Sequence, residues 1–168
     1  MRVGWLPILL GALGVLGPRS ASTTSTPEMS LSELTRRSPH IVYGTVVTTT
    51  SHWNEDHSLI VTEARVRVEE TLRGRPSDAI TVVQPGGRVG KLRVDVDGAA
   101  ALVDGEEAIL FLAPGTSGTW QLVGLQRGRY RVERNPVTGE KRVQGVTLQS
   151  FLAHVREITR DLPREVDH

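Results

Sequence analysis

The sequence predicts a mainly β fold: a small antiparallel barrel of about six to seven strands, with a short helix before it and an amphipathic helix after it. Three observations carry this reading. Short runs rich in Val, Thr and Ile follow one another closely, with Gly-, Pro- and Asn-containing turns between them. Two of these runs, 41–53 and 60–69, are long and flank a polar stretch, so they form a hairpin that must coil to stay packed. The last apolar segment switches from alternation to helical spacing.

The elements follow in order. Met1 and Arg2 precede an apolar stretch from Leu6 to Leu16 that is too short to cross a hydrocarbon core of roughly 30 Å. Pro18 breaks it, and Ser20-Ala21-Ser22 places small residues at a cleavage site. Residues 1–22 are therefore expected to be a signal peptide, the alternative being an uncleaved anchor. Residues 23–29 read as a flexible Ser/Thr/Pro leader. Ser30 and Glu33 have capping-box spacing before a short helix that Pro39 ends.

From Ile41 the chain turns to strands, with Gly44 as a bend or bulge. In the second run Ile60, Thr62, Ala64, Val66 and Val68 alternate with Val61, Glu63, Arg65, Arg67 and Glu69, one face apolar and the other mostly charged. Gly74-Arg75-Pro76 closes it. Ala79–Gln84 is a third strand, and Pro85 to Gly90 reads as a hairpin turn. Leu92, Val94 and Val96 mark a fourth strand. Ala108–Ala113 is apolar throughout, as a strand buried on both faces should be. Trp120–Leu125 and Arg129–Glu133 give two more strands, and Asn135–Gly139 a turn.

Thr147 is an N-cap for a final helix, with Val146 placed to staple onto Phe151. Leu148, Phe151, Leu152, Val155, Ile158 and Leu162 form its apolar stripe, which needs a sheet to lie on. Residues 30–162 thus read as a single domain, followed by a tail at 163–168. An OB-like barrel is the form that best fits the long hairpin and the strand count.

Composition narrows the function. The chain has 168 residues, 38% hydrophobic and 23% charged, enough for one packed core. It has no cysteine, which excludes disulfide scaffolds, thiolate metal sites and cysteine nucleophiles. Its net charge is +1; removing 1–22 takes away Arg2 and Arg19 and leaves 18 basic against 19 acidic residues. Such a balance gives no electrostatic reason to expect a nucleic-acid partner. An export signal without cysteines points to a bacterial secreted or periplasmic protein with no membrane span after cleavage.

Several motifs bear a resemblance. Ile41-Val42-Tyr43-Gly44-Thr45-Val46-Val47, Trp53 and the run from Arg65 to Gly74 resemble a group of secreted bacterial domains of unassigned function. So do Pro85-Gly86-Gly87, Gly105-Glu106-Glu107 leading into Ile109-Leu110-Phe111-Leu112, and Val123-Gly124 followed by Gly128-Arg129-Tyr130-Arg131-Val132. The similarity covers residues 40–134 or so. In outline the group looks like the OB-fold barrel of the netrin-like domains, which include tissue inhibitors of metalloproteinases. The resemblance implies a fold more than an activity. Those inhibitors chelate a protease zinc through an N-terminal cysteine, a mechanism this chain cannot share.

The candidate sites are few. His52, Glu55, Asp56 and His57 crowd the hairpin tip, where imidazole and carboxylate would suit zinc, but the spacing matches no ligand motif and a solvated turn is the default reading, so no metal site is expected. Trp53 at the same tip either caps the barrel or anchors a partner. Gly86-Gly87-Arg88-Val89-Gly90 leads into a strand, not a helix, so it lacks the anion-binding geometry of a phosphate loop. Asp95, Asp97, Glu106 and Glu107 lack calcium-loop spacing, and His154 borders the helix stripe. No G-x-S-x-G or H-E-x-x-H occurs. The expected function is a secreted non-catalytic binding module, without cofactor, that docks a protein or envelope ligand; one version is protease-directed. The alternative is a metal-dependent envelope enzyme using His52, His57 and a neighbouring carboxylate.

Overall fold

The computed structural model of the protein describes residues 29–162. The predicted signal peptide, the leader up to residue 28 and the tail 163–168 lie outside the described residues.

Helix α1 (Leu31–Arg37) starts at Ser30, whose Oγ accepts the Glu33 N–H at 3.1 Å. Glu33 leaves the capping box half made and pairs with Arg36 at 2.8 Å. The helix's last carbonyls are taken by Arg73, whose Nη1 donates to Thr35 O at 2.8 Å and Ser38 O at 2.9 Å.

The strands are β1 (His40–Trp53), β2 (Ile60–Arg73), β3 (Ala79–Pro85), β4 (Gly87–Val89), β5 (Leu92–Val94), β6 (Glu107–Pro114), β7 (Trp120–Leu122) and β8 (Arg129–Arg131). Five of them close a barrel in the order β1-β2-β3-β7-β6, with β6 returning to β1. The expected antiparallel barrel is mixed: β3 and β7 run parallel, paired through Val82 and Trp120. This closure is compatible with an OB-like barrel. The long β1–β2 hairpin stands as read from the alternation, with Gly44 at a register shift. A Cβ at Gly44 would come within 2.4 Å of the Arg67 carbonyl oxygen, which is why only glycine fits there.

Other expectations change. Residues 87–89, read as a turn, form β4, which pairs with β5 in a separate two-stranded ribbon. The strand expected over 120–125 stops at Leu122, because Gly124 (φ 70°) and Leu125 (φ 58°) both take left-handed conformations and turn the chain into a 3-10 helix over Leu125–Gly128. Beyond β8 lies an unforeseen sheet of β9 (Glu133–Arg134), β10 (Lys141–Val143) and β11 (Val146–Thr147).

Helix α2 (Leu148–Arg160) is capped by Thr147, which accepts the Ser150 N–H at 3.2 Å. The staple does not form: Val146 is 47% exposed, and Phe151 instead meets the ring of Tyr130 at 5.0 Å.

The core has two layers. Val42, Val46, Ala64, Val66, Val82, Leu110 and Leu112 point into the barrel. Ile41, Tyr43, Ile109 and Phe111, on the opposite faces of β1 and β6, pack outward against Leu34 of α1 and Phe151, Leu152 and Val155 of α2. Strand β6 is therefore buried on both faces, as its unbroken apolar run predicts. Met29, placed in the leader by sequence, packs at the edge of this outer layer.

Candidate binding cleft at the open end of the barrel

The site is set by a bulge. Val46 pairs with Val66, but the next pair is Thr48 with Arg65, which leaves Val47 as an extra residue. Because side chains alternate, one extra residue reverses which positions face inward. Up to the bulge Val42 and Val46 point into the barrel. After it, Thr49, Ser51 and Trp53 share a face with Ala64, Thr62 and Ile60, their cross-strand partners. The ladder between β1 and β6 ends at Thr45–Glu107, so the inner face of the hairpin leaves the barrel as its lining turns from apolar to hydroxyl.

A cleft of about 450 Å³ opens there. Its floor carries Thr49, Ser51, Thr62 and Gln84; Arg88, Arg93 and Asp95 of the ribbon form one wall and Ala99–Leu102 the other. The ribbon lies directly on the floor: a Cβ at Gly87 would sit 2.3 Å from Thr62 Oγ1 and 2.5 Å from Ser51 Oγ. Arg93 Nε reaches both carboxylate oxygens of Asp95 at 2.9 Å, a bond that holds the Asp95 carboxyl below its usual range.

The opposite wall is fixed by polar bonds. Val46 N donates to Glu106 O and Gly105 N to Val46 O, both at 2.8 Å, while Gln126 N donates to Gly98 O at 2.8 Å. Buried Glu106 pairs with Arg129, whose Nη1 also donates to Ala101 O at 2.6 Å. Ala100 and Leu102 drop into the inner core and seal the barrel beneath the cleft.

Gln84 stands between cleft and core, 5% exposed. Its Oε1 accepts the Leu102 N–H at 3.5 Å, and its Nε2 has no partner among the described residues. Leaving a buried amide donor unsatisfied costs about 1–3 kcal/mol.

The residues singled out by sequence fall elsewhere. His52 faces outward, its Nε2 3.4 Å from Glu63 Oε1. His57 and Glu55 lie exposed on the tip, and Asp56 is engaged by Ser58, whose Oγ–H bond first and N–H bond second lower its carboxyl pKa. Among the described residues no three His, Asp or Glu side chains converge as a metal site. Trp53 is partly buried and lies outside both core clusters, so it does not cap the barrel core. Glu107, considered for calcium, is held by Lys141, Tyr43 and Arg134. His154 faces Glu157 on the exposed side of α2.

Sequence reading missed Thr49, Ser51, Gln84 and Arg93, and took Arg88 as part of a hairpin turn. The available signal was polar residues at inward positions where a strand outlasts its barrel. No helix among the described residues is long and apolar enough to cross a membrane. Comparison with protein-family models gives no match, and comparison with curated proteins gives no significant one.

Proposed function

We propose that the chain is an exported, non-catalytic binding module that docks a protein or cell-envelope ligand at the open end of its barrel. The observation that carries this reading is the cleft at the barrel mouth, lined by the hydroxyls of Thr49, Ser51 and Thr62 and by Arg88, Arg93 and Asp95. A closed barrel has no structural need for a polar cleft above its core, whereas a ligand site does. The rigid strands hold the cleft walls, and the hairpin tip with Trp53 projects beside them as a second contact. A protease-directed role is one version, supported only by the likeness in outline to netrin-like domains.

The test is affinity capture from secreted and envelope fractions with the wild-type chain and with Trp53→Ala and Arg93→Ala. A partner lost in either variant supports docking at this end, and one retained equally by both removes it as the site. Metal analysis of the same preparations discriminates against an enzyme. Stoichiometric zinc lost in both His52→Ala and His57→Ala would overturn the binding-module reading.

A further inference from the structure

The hydrogens on the cleft floor can be assigned one by one. Thr62 Oγ1 lies 2.7 Å from Gly86 O, a carbonyl that can only accept, so Thr62 spends its single proton there. Ser51 Oγ lies 2.8 Å from Thr62 Oγ1 and must therefore be the donor in that pair. Thr49 Oγ1 gives its proton to Asp104 Oδ1 at 2.9 Å. All three hydroxyls have thus committed their donors to the protein, and what they can still offer is lone pairs.

Donors stand next to these acceptors. Arg93 binds Asp95 through Nε, and its two Nη groups have no partner among the described residues. Gln84 Nε2, unpartnered among the described residues, lies buried beneath the floor, out of a ligand's reach. An anion would meet the lone-pair floor and Asp95, and a cation would meet Arg88 and Arg93. An apolar ligand would strand every one of these groups. The complement is a neutral molecule whose groups each donate and accept within a short distance.

We infer that the cleft binds a neutral saccharide, its hydroxyls donating to Ser51 and Thr49 and accepting from the free Nη groups of Arg93. A sugar hydroxyl does both at one oxygen, matching donors and acceptors that alternate over a compact floor. The 450 Å³ cleft is in the size range of small-ligand sites. Trp53, the next inward position beyond Ser51 and about 7 Å along the strand, offers a ring surface to a longer chain. The inference rests on reading the barrel end as a binding site.

The experiment titrates the purified chain by calorimetry and by NMR in two arms. One arm is a panel of neutral hexoses, N-acetylhexosamines and their short oligomers, each taken up to its solubility; the other is a panel of short uncharged peptides. Ser51→Ala and Arg93→Met are run beside the wild type. The Arg93 side chain is 70% exposed, so its replacement leaves the barrel folded. Expected is saturable binding of at least one saccharide, weakened about threefold to tenfold in each variant, with the melting temperature of Arg93→Met unchanged and that of Ser51→Ala lowered only by the lost bond to Thr62. Saccharide binding indifferent to both variants overturns the assignment to this cleft. Peptide binding that both variants weaken, without saccharide binding, overturns the sugar and leaves the barrel end as the site. Silence in both arms overturns the sugar, while the capture experiment above separately decides whether this end docks a partner.

Discussion

Glu107 is the place to perturb the tie between the barrel and the C-terminal sheet. Its carboxylate, 21% exposed, takes Lys141 Nζ at 2.6 Å, Tyr43 Oη at 2.5 Å and Arg134 Nη2 at 3.1 Å. Burial alone would raise its pKa; the bonds from Lys141, Tyr43 and Arg134 outweigh burial and hold it down at about 2, from an ordinary 4.5. The same site pushes the Tyr43 hydroxyl up to about 12, by burial first and then by its bond to Glu107, so Tyr43 stays a donor at any working pH. The unfolded chain binds this proton more readily than the folded one, so folded stability rises with pH across the window from about 2 to 4.5 and is fully present above it. At about 1.4 kcal/mol for each factor of ten, the contribution at pH 7 is about 3 kcal/mol. Glu107→Gln removes it. Urea unfolding of wild type and variant, followed by the fluorescence of Trp53 and Trp120, should give a stability difference near 3 kcal/mol at pH 7 that shrinks toward zero as pH falls to 2. Other carboxylates titrate in both proteins and cancel in the difference. A difference that stays flat with pH, or one below about 1 kcal/mol at pH 7 as for an exposed pair, would refute the reasoning.

Three further outcomes are expected. Phe151, 5% exposed and against Tyr130, should cost about 3 kcal/mol or more when replaced by Ala, and an unchanged denaturation midpoint would sink the packing of α2. Gly44→Ala forces a Cβ against a backbone carbonyl that no rotamer change can move; a loss of about 2–3 kcal/mol by thermal unfolding is expected, and a neutral result would contradict the close approach of β1 and β2. Protein recovered outside the cytoplasm should lack residues 1–22 by N-terminal sequencing, and an intact Met1 would exclude cleavage.

The parts of the fold legible in the sequence are those where burial imposes a period. Strand β2 alternates because one face is core and the other solvent, β6 is apolar throughout because both faces are covered, and α2 carries its stripe because one side lies on the outer layer. The illegible parts are of another kind. Strands β4, β9, β10 and β11 have two or three residues each, too few to show any period, and pair only with short neighbours across tight turns; the tie of β10 to the barrel is the Glu107–Lys141 pair, distant in sequence. The parallel pairing of β3 with β7 joins residues nearly forty positions apart, which no local pattern reports. Leu125 takes φ 58° although its side chain gives no hint of it, so a strand was expected where the chain turns.

The site itself was hidden by a single residue. Without the bulge at Val47, strict alternation from Val46 would turn Thr48, Thr50 and His52 inward, and a histidine lining the barrel mouth would give real weight to a metal reading. With the bulge, His52 stands outside against Glu63, and Ser51 and Trp53 stand inside. Barrel closure depends on residues up to Val46 and on their partners in β6, whereas the cleft is built from residues beyond it. On the proposed reading, stability and recognition therefore fall to different stretches of the same strand. Changes at Thr49, Ser51 or Arg93 would then be expected to retune the ligand without opening the barrel, as a binding scaffold requires.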